Sequence, residues 1–275
     1  TGAVDDPDGV RTQETNLGNL TADANLAAAQ AVDETVVVSI KNGGGIRASI
    51  GETIVPAAGT EAVRSANSEV TDGDGNVVKP EGGISQNDIQ AALAFNNGLS
   101  LVTVTRQELI NVLEHALGDI GGGRFPQVSG LQFSYDADNE AGSRVVDASI
   151  VDPETGEVIA ELMSDGALVG DASEGFRIVT LNYLAGGGDG YPFDALAAAD
   201  RVDLYDLDGD GENDGATGDA TFADDGTEQD ALAEYLDDTY NPANGGTAYA
   251  EEDTGLVGDT RIIDVDAVDS APQGP

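Results

Sequence analysis

The chain has 275 residues, 40% of them hydrophobic, enough for one large domain or two small ones with a substantial core. Fifty-two acidic residues against eleven basic give a formal charge of -41, which repels nucleic-acid backbones and anionic membranes and excludes both as partners. There is no cysteine, so disulfides and thiolate metal sites are excluded, and no run approaches the roughly 20 apolar residues of a membrane span.

The elements follow in chain order. Residues 1–10 are acidic and turn-rich and read as a linker; residues 11–275 read as a single domain. Asn16 is a candidate N-cap for an Ala-rich helix over 17–32, which leads into a strand at 35–40 ended by the turn Asn42-Gly43-Gly44-Gly45. A Gly/Asp/Pro-rich excursion over 51–83, most acidic near 60–83, precedes a short helix at 84–93. Next come a strand at 99–104 and a helix at 106–117 with Leu109, Ile110, Leu113 and Leu117 on one face. Strands are predicted at 128–135, 145–151 and 176–182. An acidic insertion at 203–226 and a helix at about 228–238 complete the chain. The alternation gives an α+β (mixed α/β) class, a layered domain with helices packed on mixed β-sheet.

The charge excess reads as surface. Only Lys41 and Lys79 are lysines, and a face of Asp and Glu suits molar salt, where the Debye length shrinks to about 3 Å and self-repulsion is muted.

Five segments, in order, carry a resemblance. They are Arg11-Thr12-Gln13-Glu14-Thr15-Asn16-Leu17-Gly18-Asn19-Leu20, Asn42-Gly43-Gly44-Gly45-Ile46-Arg47, Leu93-Ala94-Phe95-Asn96-Asn97, Gly123-Arg124-Phe125-Pro126-Gln127-Val128-Ser129-Gly130, and Leu181-Asn182-Tyr183-Leu184-Ala185-Gly186-Gly187-Gly188-Asp189-Gly190-Tyr191. From about residue 11 to 196 the chain resembles the C-terminal domain of the 5'-nucleotidase and UDP-sugar hydrolase family. The resemblance implies a nucleotide-recognition domain beside an N-terminal metallophosphatase domain. That second domain carries two divalent metals, and the whole is secreted, periplasmic or at the cell surface. It further implies that Phe95 and Tyr183 sandwich the base, that Asp189 holds the ribose hydroxyls, and that Arg11, Asn42 and Arg47 lie at the phosphate. Where the family commonly has Phe, this chain has Tyr183, which keeps the stacking face and adds a hydroxyl.

Taken without the family, these residues leave alternatives open. Phe95 and Tyr183 read as core aromatics or as stacking faces beside loops, and two rings about 7 Å apart would hold one base. Arg47 reads as an ion-pair partner or as a phosphate fork, with the adjacent glycines letting backbone N–H groups approach an anion. Asp189 reads as a turn residue or as a ribose acceptor. Gly121-Gly122-Gly123 reads as a flexible connection. The single histidine, His115, reads as structural, and a two-metal hydrolytic site needs more ligands than it can supply. The chain alone is therefore expected to bind and not to hydrolyse, and a stand-alone nucleotide or nucleotide-sugar binding module is the alternative. Asp206, Asp208, Asp210 and Asp214 resemble the start of a calcium loop, but Thr217 stands where the bidentate Glu belongs; the segment reads as a solvated loop or a weak calcium site.

Overall fold

A computed structural model describes residues 9–55, 62–193, 200–207, 209, 220–251, 253 and 255–270. The first helix, α1 (Asn16–Val32), is capped by Thr15, whose hydroxyl accepts from the Gly18 N–H, and not by Asn16. Thr15 has the extended φ/ψ a cap requires, whereas Asn16 is already the first helical residue. Val10, assigned to the linker on composition, is fully buried, and its carbonyl accepts from Gln127 Nε2 at 3.1 Å. Residues 1–8 lie outside the described residues.

The interior strand β1 (Val36–Asn42) is covered on both faces, with Ser39 and Lys41 as deeply buried as Val38 and Ile40. After it the excursion folds into two small hairpins, β2 (Glu52–Ile54) with β3 (Val63–Ser65) and β4 (Val70–Thr71) with β5 (Val77–Lys79). Helix α2 (Gln86–Ala92) follows, started by a Ser85/Asp88 capping box. Strand β6 (Leu99–Thr105) runs directly into α3 (Arg106–Leu117), whose start is fixed by a capping box of Thr105 with Glu108.

The strand expected at 128–135 is two, β7 (Pro126–Ser129) and β8 (Leu131–Tyr135), divided at Gly130 because each belongs to a different sheet. Then come β9 (Val145–Val151), β10 (Val158–Ser164), β11 (Ala167–Leu168) and β12 (Gly175–Leu181). The short helix α4 (Asn182–Ala185), β13 (Val202–Asp203), α5 (Glu228–Tyr240) and β14 (Ile262–Asp264) complete the frame.

Among the described residues these strands form two five-stranded mixed sheets, ordered β13-β6-β12-β1-β7 and β11-β10-β9-β8-β14. In the first, β1 and β12 are parallel while β6 and β7 run antiparallel to them. Helix α3 places Leu109, Val112, Leu113 and Leu117 in the same apolar core as residues of both sheets, among them Ile40, Ile178, Phe133 and Ile150. A second core, on the side of α1, α2 and α5, gathers Val10, Leu17, Leu20, Ile46, Ile89, Leu93 and Leu232. Burying each such side chain contributes about 1.5–3 kcal/mol over leaving it in water. The mixed, layered architecture expected from the sequence is the one found.

Candidate functional site: a pocket where two parallel strands end

Strands β1 and β12, being parallel, end on the same edge of the first sheet, and β6 starts there because it is antiparallel to β12. Crevices at the carboxyl ends of parallel strands are where α/β folds gather ligand groups. Here the edge opens into a pocket of about 340 Å³ lined by Arg11, Asn42, Gly44, Gly45, Arg47, Phe95, Asn97, Gly123, Tyr183 and Asp189. All six residues singled out as substrate-binding thus meet in one place, although they come from four separate segments.

The floor is backbone packed on backbone. Gly43 N–H donates to Phe125 O at 2.7 Å and Gly44 N–H to Gly123 O at 2.8 Å. A Cβ on Gly43 would fall 1.8 Å from Val10 O, and one on Gly44 would fall 2.7 Å from Gly123 O. The glycines are therefore needed for close approach. Two sequence readings change as a result. The amides of Gly43 and Gly44 already serve carbonyl oxygens and are not directed at an anion. Gly123 is no flexible connection but part of the floor, and Gly121 N–H donates to Arg11 O at 2.7 Å.

Tyr183 projects from α4, and its ring lies on the backbone of Gly188, where a Cβ would come within 2.5 Å of the ring. Its hydroxyl donates to Asp189 Oδ1 at 2.9 Å, while Asn42 Nδ2 donates to Asp189 Oδ2 at 2.7 Å. Asp189 stands at φ +53°, a left-handed conformation uncommon for Asp, and His115 Nε2 hydrogen-bonds its carbonyl at 3.0 Å. His115 also meets Tyr191 edge-on, 5.1 Å between centroids, so this histidine supports the turn that aims the carboxylate. The hydrogen bond to Asp189, ahead of partial burial, raises the Tyr183 phenol above its ordinary range and keeps it a donor. With one strong donor on each oxygen, Asp189 is held in a single orientation yet stays exposed, with acceptor capacity left for a diol.

Phe95 is 62% exposed and Tyr183 49%, whereas Phe125, Phe133 and Phe193 are buried. The core-aromatic alternative therefore fails for both rim residues. The guanidinium of Arg47 lies 5.6 Å from the Phe95 ring centroid, its Nη1 donates to Gly44 O at 3.1 Å, and the residue is exposed. Arg11 buries its Nε without a hydrogen-bond partner. In this acidic chain Arg106, Arg177, Arg201 and Arg261 pair with carboxylates, whereas among the described residues Arg11 and Arg47, like Arg64, Arg124 and Arg144, form no ion pair; only Arg11 and Arg47 of these line the pocket. Two permanently cationic forks left without counter-charges at one pocket present a site for an anion.

Asn97 and Gly123 also line the pocket, and neither was assigned a binding role from the sequence, although both stand inside the quoted motifs. Asp206 accepts from Gly209 N–H at 2.9 Å, a local side-chain-to-backbone bond, while Asp208, Asp210, Asp214 and the rest of 210–219 lie outside the described residues. Among the described residues no group of three or more His, Asp or Glu side chains is placed to hold a metal ion. Nor is any described helix long and apolar enough to cross a membrane.

Comparison with known proteins gives the family. The chain is 31% identical over 184 residues to the trifunctional nucleotide phosphoesterase protein YfkN of Bacillus subtilis, covering 66% of this chain and 10% of that protein. It is 28% identical over 188 residues to a 5'-nucleotidase of Diplobatis ommata, covering 66% of this chain and 27% of the other. The crystal structure of a 5'-nucleotidase precursor from Thermus thermophilus superimposes with a TM-score of 0.60 at 23% identity, over 99% of this chain and 38% of that one, and so shares the fold. The chain thus spans between a tenth and about two fifths of the length of these relatives. The family model for the 5'-nucleotidase C-terminal domain matches residues 2–198, and the chain belongs to that family.

Proposed function

We propose that this domain binds a nucleoside phosphate and presents it to a separate N-terminal metallophosphatase domain, which hydrolyses the phosphate ester. The observation that carries the reading is the convergence of two exposed aromatic rings, an oriented carboxylate and two arginines without counter-charges on one pocket. In this reading Phe95 and Tyr183 hold the base, each stack contributing about 1–3 kcal/mol. Asp189, positioned by Asn42 and Tyr183, accepts the ribose hydroxyls. Arg11 and Arg47 attract the phosphate.

The two divalent metals that such hydrolysis uses belong to the other domain, so the isolated chain binds its ligand without turning it over. The related proteins named as nucleotidases and nucleotide phosphoesterases support this substrate class. We further infer a setting outside the cytoplasm, in the periplasm, at the cell surface or in the medium. The -41 charge supports working conditions of high salt. Asp206, Asp208, Asp210 and Asp214 are proposed as a weak calcium loop.

Titration of the purified chain with AMP, ADP, ATP and UDP-glucose in molar salt tests the reading. Saturable binding of at least one, weakened by Arg47→Ala, is expected, with no hydrolysis of AMP when Mn²⁺, Co²⁺ or Zn²⁺ is added. Absence of binding to all four would overturn it.

A further inference from the structure

Lys41 and Glu228 form an ion pair of 2.9 Å with both side chains 0% exposed, from strand β1 and the first turn of α5. Such a pair is a poor device for stability alone, because taking both charges out of water offsets most of their attraction. Its place in the molecule calls for another reason, and the second carboxylate oxygen supplies one. Glu228 Oε1 accepts from the backbone N–H of Asn97 at 3.0 Å and from Asn97 Nδ2 at 2.8 Å.

The same helix end grips the rest of that loop. Glu228 N–H donates to Asn97 O at 2.9 Å, Gln229 N–H to Asn96 Oδ1 at 3.2 Å, and Gln229 Nε2 to Leu93 O at 2.8 Å. Asn96 sits at φ +46°, a conformation that a free loop would leave readily and that these contacts hold. The helix N-terminus also favours the Glu228 carboxylate, so Lys41 and the helix together keep the acceptor charged and fixed. Phe95 itself projects outward and has no core packing to locate it.

We propose that Glu228, anchored by Lys41, is the positioning residue of the Phe95 wall: it sets the 93–97 loop, and thereby the ring, without touching the ligand. The inference rests on the nucleotide reading and adds to it the residues that decide how well the base is held. Because Glu228 acts through the ring, its loss reduces affinity for the base-bearing ligand and leaves the sugar-phosphate contacts alone.

The test compares wild type, Lys41→Met/Glu228→Gln and Lys41→Met/Glu228→Leu by calorimetric titration with AMP and with ribose 5-phosphate in molar salt. Both double variants remove the charges together, so neither leaves a buried ion unpaired, but only the glutamine keeps an oxygen for Asn97. The glutamine variant is expected within about threefold of wild type for AMP, and the leucine variant to bind AMP about tenfold more weakly, which is within the worth of one stack. Ribose 5-phosphate affinity should be the same in all three. AMP affinity unchanged in the leucine variant, or AMP and ribose 5-phosphate weakening together, would overturn the assignment. Should the leucine variant lose its cooperative melt, Gln229→Ala removes one contact of the same grip. There a threefold loss confined to AMP supports the proposal, and no loss overturns it. Should wild type bind one of ADP, ATP or UDP-glucose in place of AMP, the same comparison is made with that ligand; failure of wild type to bind any of the four would overturn the nucleotide reading, and this inference with it.

Discussion

The two aromatic walls of the pocket are built in opposite ways. Tyr183 is fixed by its own neighbourhood: the ring rests on Gly188, and the hydroxyl binds Asp189 six residues on. Phe95 is fixed from a distance, by a helix that begins 131 residues beyond Asn97 and a lysine on β1. A locally built wall survives changes elsewhere in the chain, whereas a wall held by long-range contacts transmits whatever displaces α5. The segment leading into α5 is the acidic insertion, so the part of this chain richest in charge joins directly to the helix that sets one side of the pocket.

Removing the rings gives the largest expected effects. Tyr183→Ala and Phe95→Ala should each weaken AMP about 10- to 100-fold. Neither should move the melting temperature much, since both rings are about half exposed or more. The comparison sharpens with ribose 5-phosphate: Tyr183→Ala also releases Asp189 and should weaken it, while Phe95→Ala should not. Equal behaviour of the two variants toward the sugar phosphate would erase the distinction between the walls.

The floor that both walls share tolerates no side chain. Gly44→Ala sets a Cβ 2.7 Å from Gly123 O, and the forced separation should cost about 1–3 kcal/mol, read as a lower denaturation midpoint. Binding should fall as well, because Arg47 Nη1 donates to Gly44 O. An unchanged midpoint would show that the floor yields more easily than its contacts imply.

This contrast also explains what the sequence could reveal. The helix at 106–117 was legible from its apolar spacing, and the structure adds the Thr105 and Glu108 capping box that fixes its start. Strands β1, β6 and β12 were legible as β-branched runs. The break at Gly130 was not, since a change of sheet leaves no mark on local periodicity. Neither was β10, whose Val158, Ile159 and Glu161 are all exposed, leaving little apolar alternation to read. In the site, the Tyr183-to-Asp189 segment was readable because its parts are contiguous. The Lys41–Glu228 pair was invisible for the converse reason, with partners 187 positions apart. The glycines after β1 were correctly marked as special, but their purpose, packing against Val10 and Gly123, depends on segments that meet only in the fold.

A pH-dependent effect on stability, separate from binding, bears on the N-terminus of α5. Burial, then Glu234 and Asp225, push the Asp230 carboxyl up from 3.8 to about 7. The folded chain therefore holds a proton that the unfolded chain has lost. The stability this group contributes is complete at acid pH, declines as pH rises from about 4, and is gone above about 7. Asp230→Asn should remove that decline. Its advantage over wild type in thermal unfolding should widen with pH across this window, by up to about 1.4 kcal/mol per unit, and then level off. A difference that is constant with pH would show that Asp230 ionises normally.

Tyr183→Phe should have the smallest effect. It keeps the stacking face and removes two exposed hydrogen bonds with Asp189, the one the hydroxyl donates to Oδ1 and the longer one it accepts from the backbone N–H, of which the first is worth about 0.5–1.5 kcal/mol. A two- to fivefold loss for AMP is expected, with a smaller one for 2',3'-dideoxy-AMP, which gives Asp189 nothing to hold. Equal losses for the two ligands would detach the hydroxyl from ribose recognition.

The most direct test of the pocket as a nucleotide site is a crystal structure of the chain with AMP, grown in high salt. The account predicts the adenine between Phe95 and Tyr183, the ribose hydroxyls on Asp189, and the phosphate toward Arg11 and Arg47. A nucleotide bound elsewhere on the domain, or lying in this pocket with its phosphate at Asp189 and its base away from both rings, would contradict it.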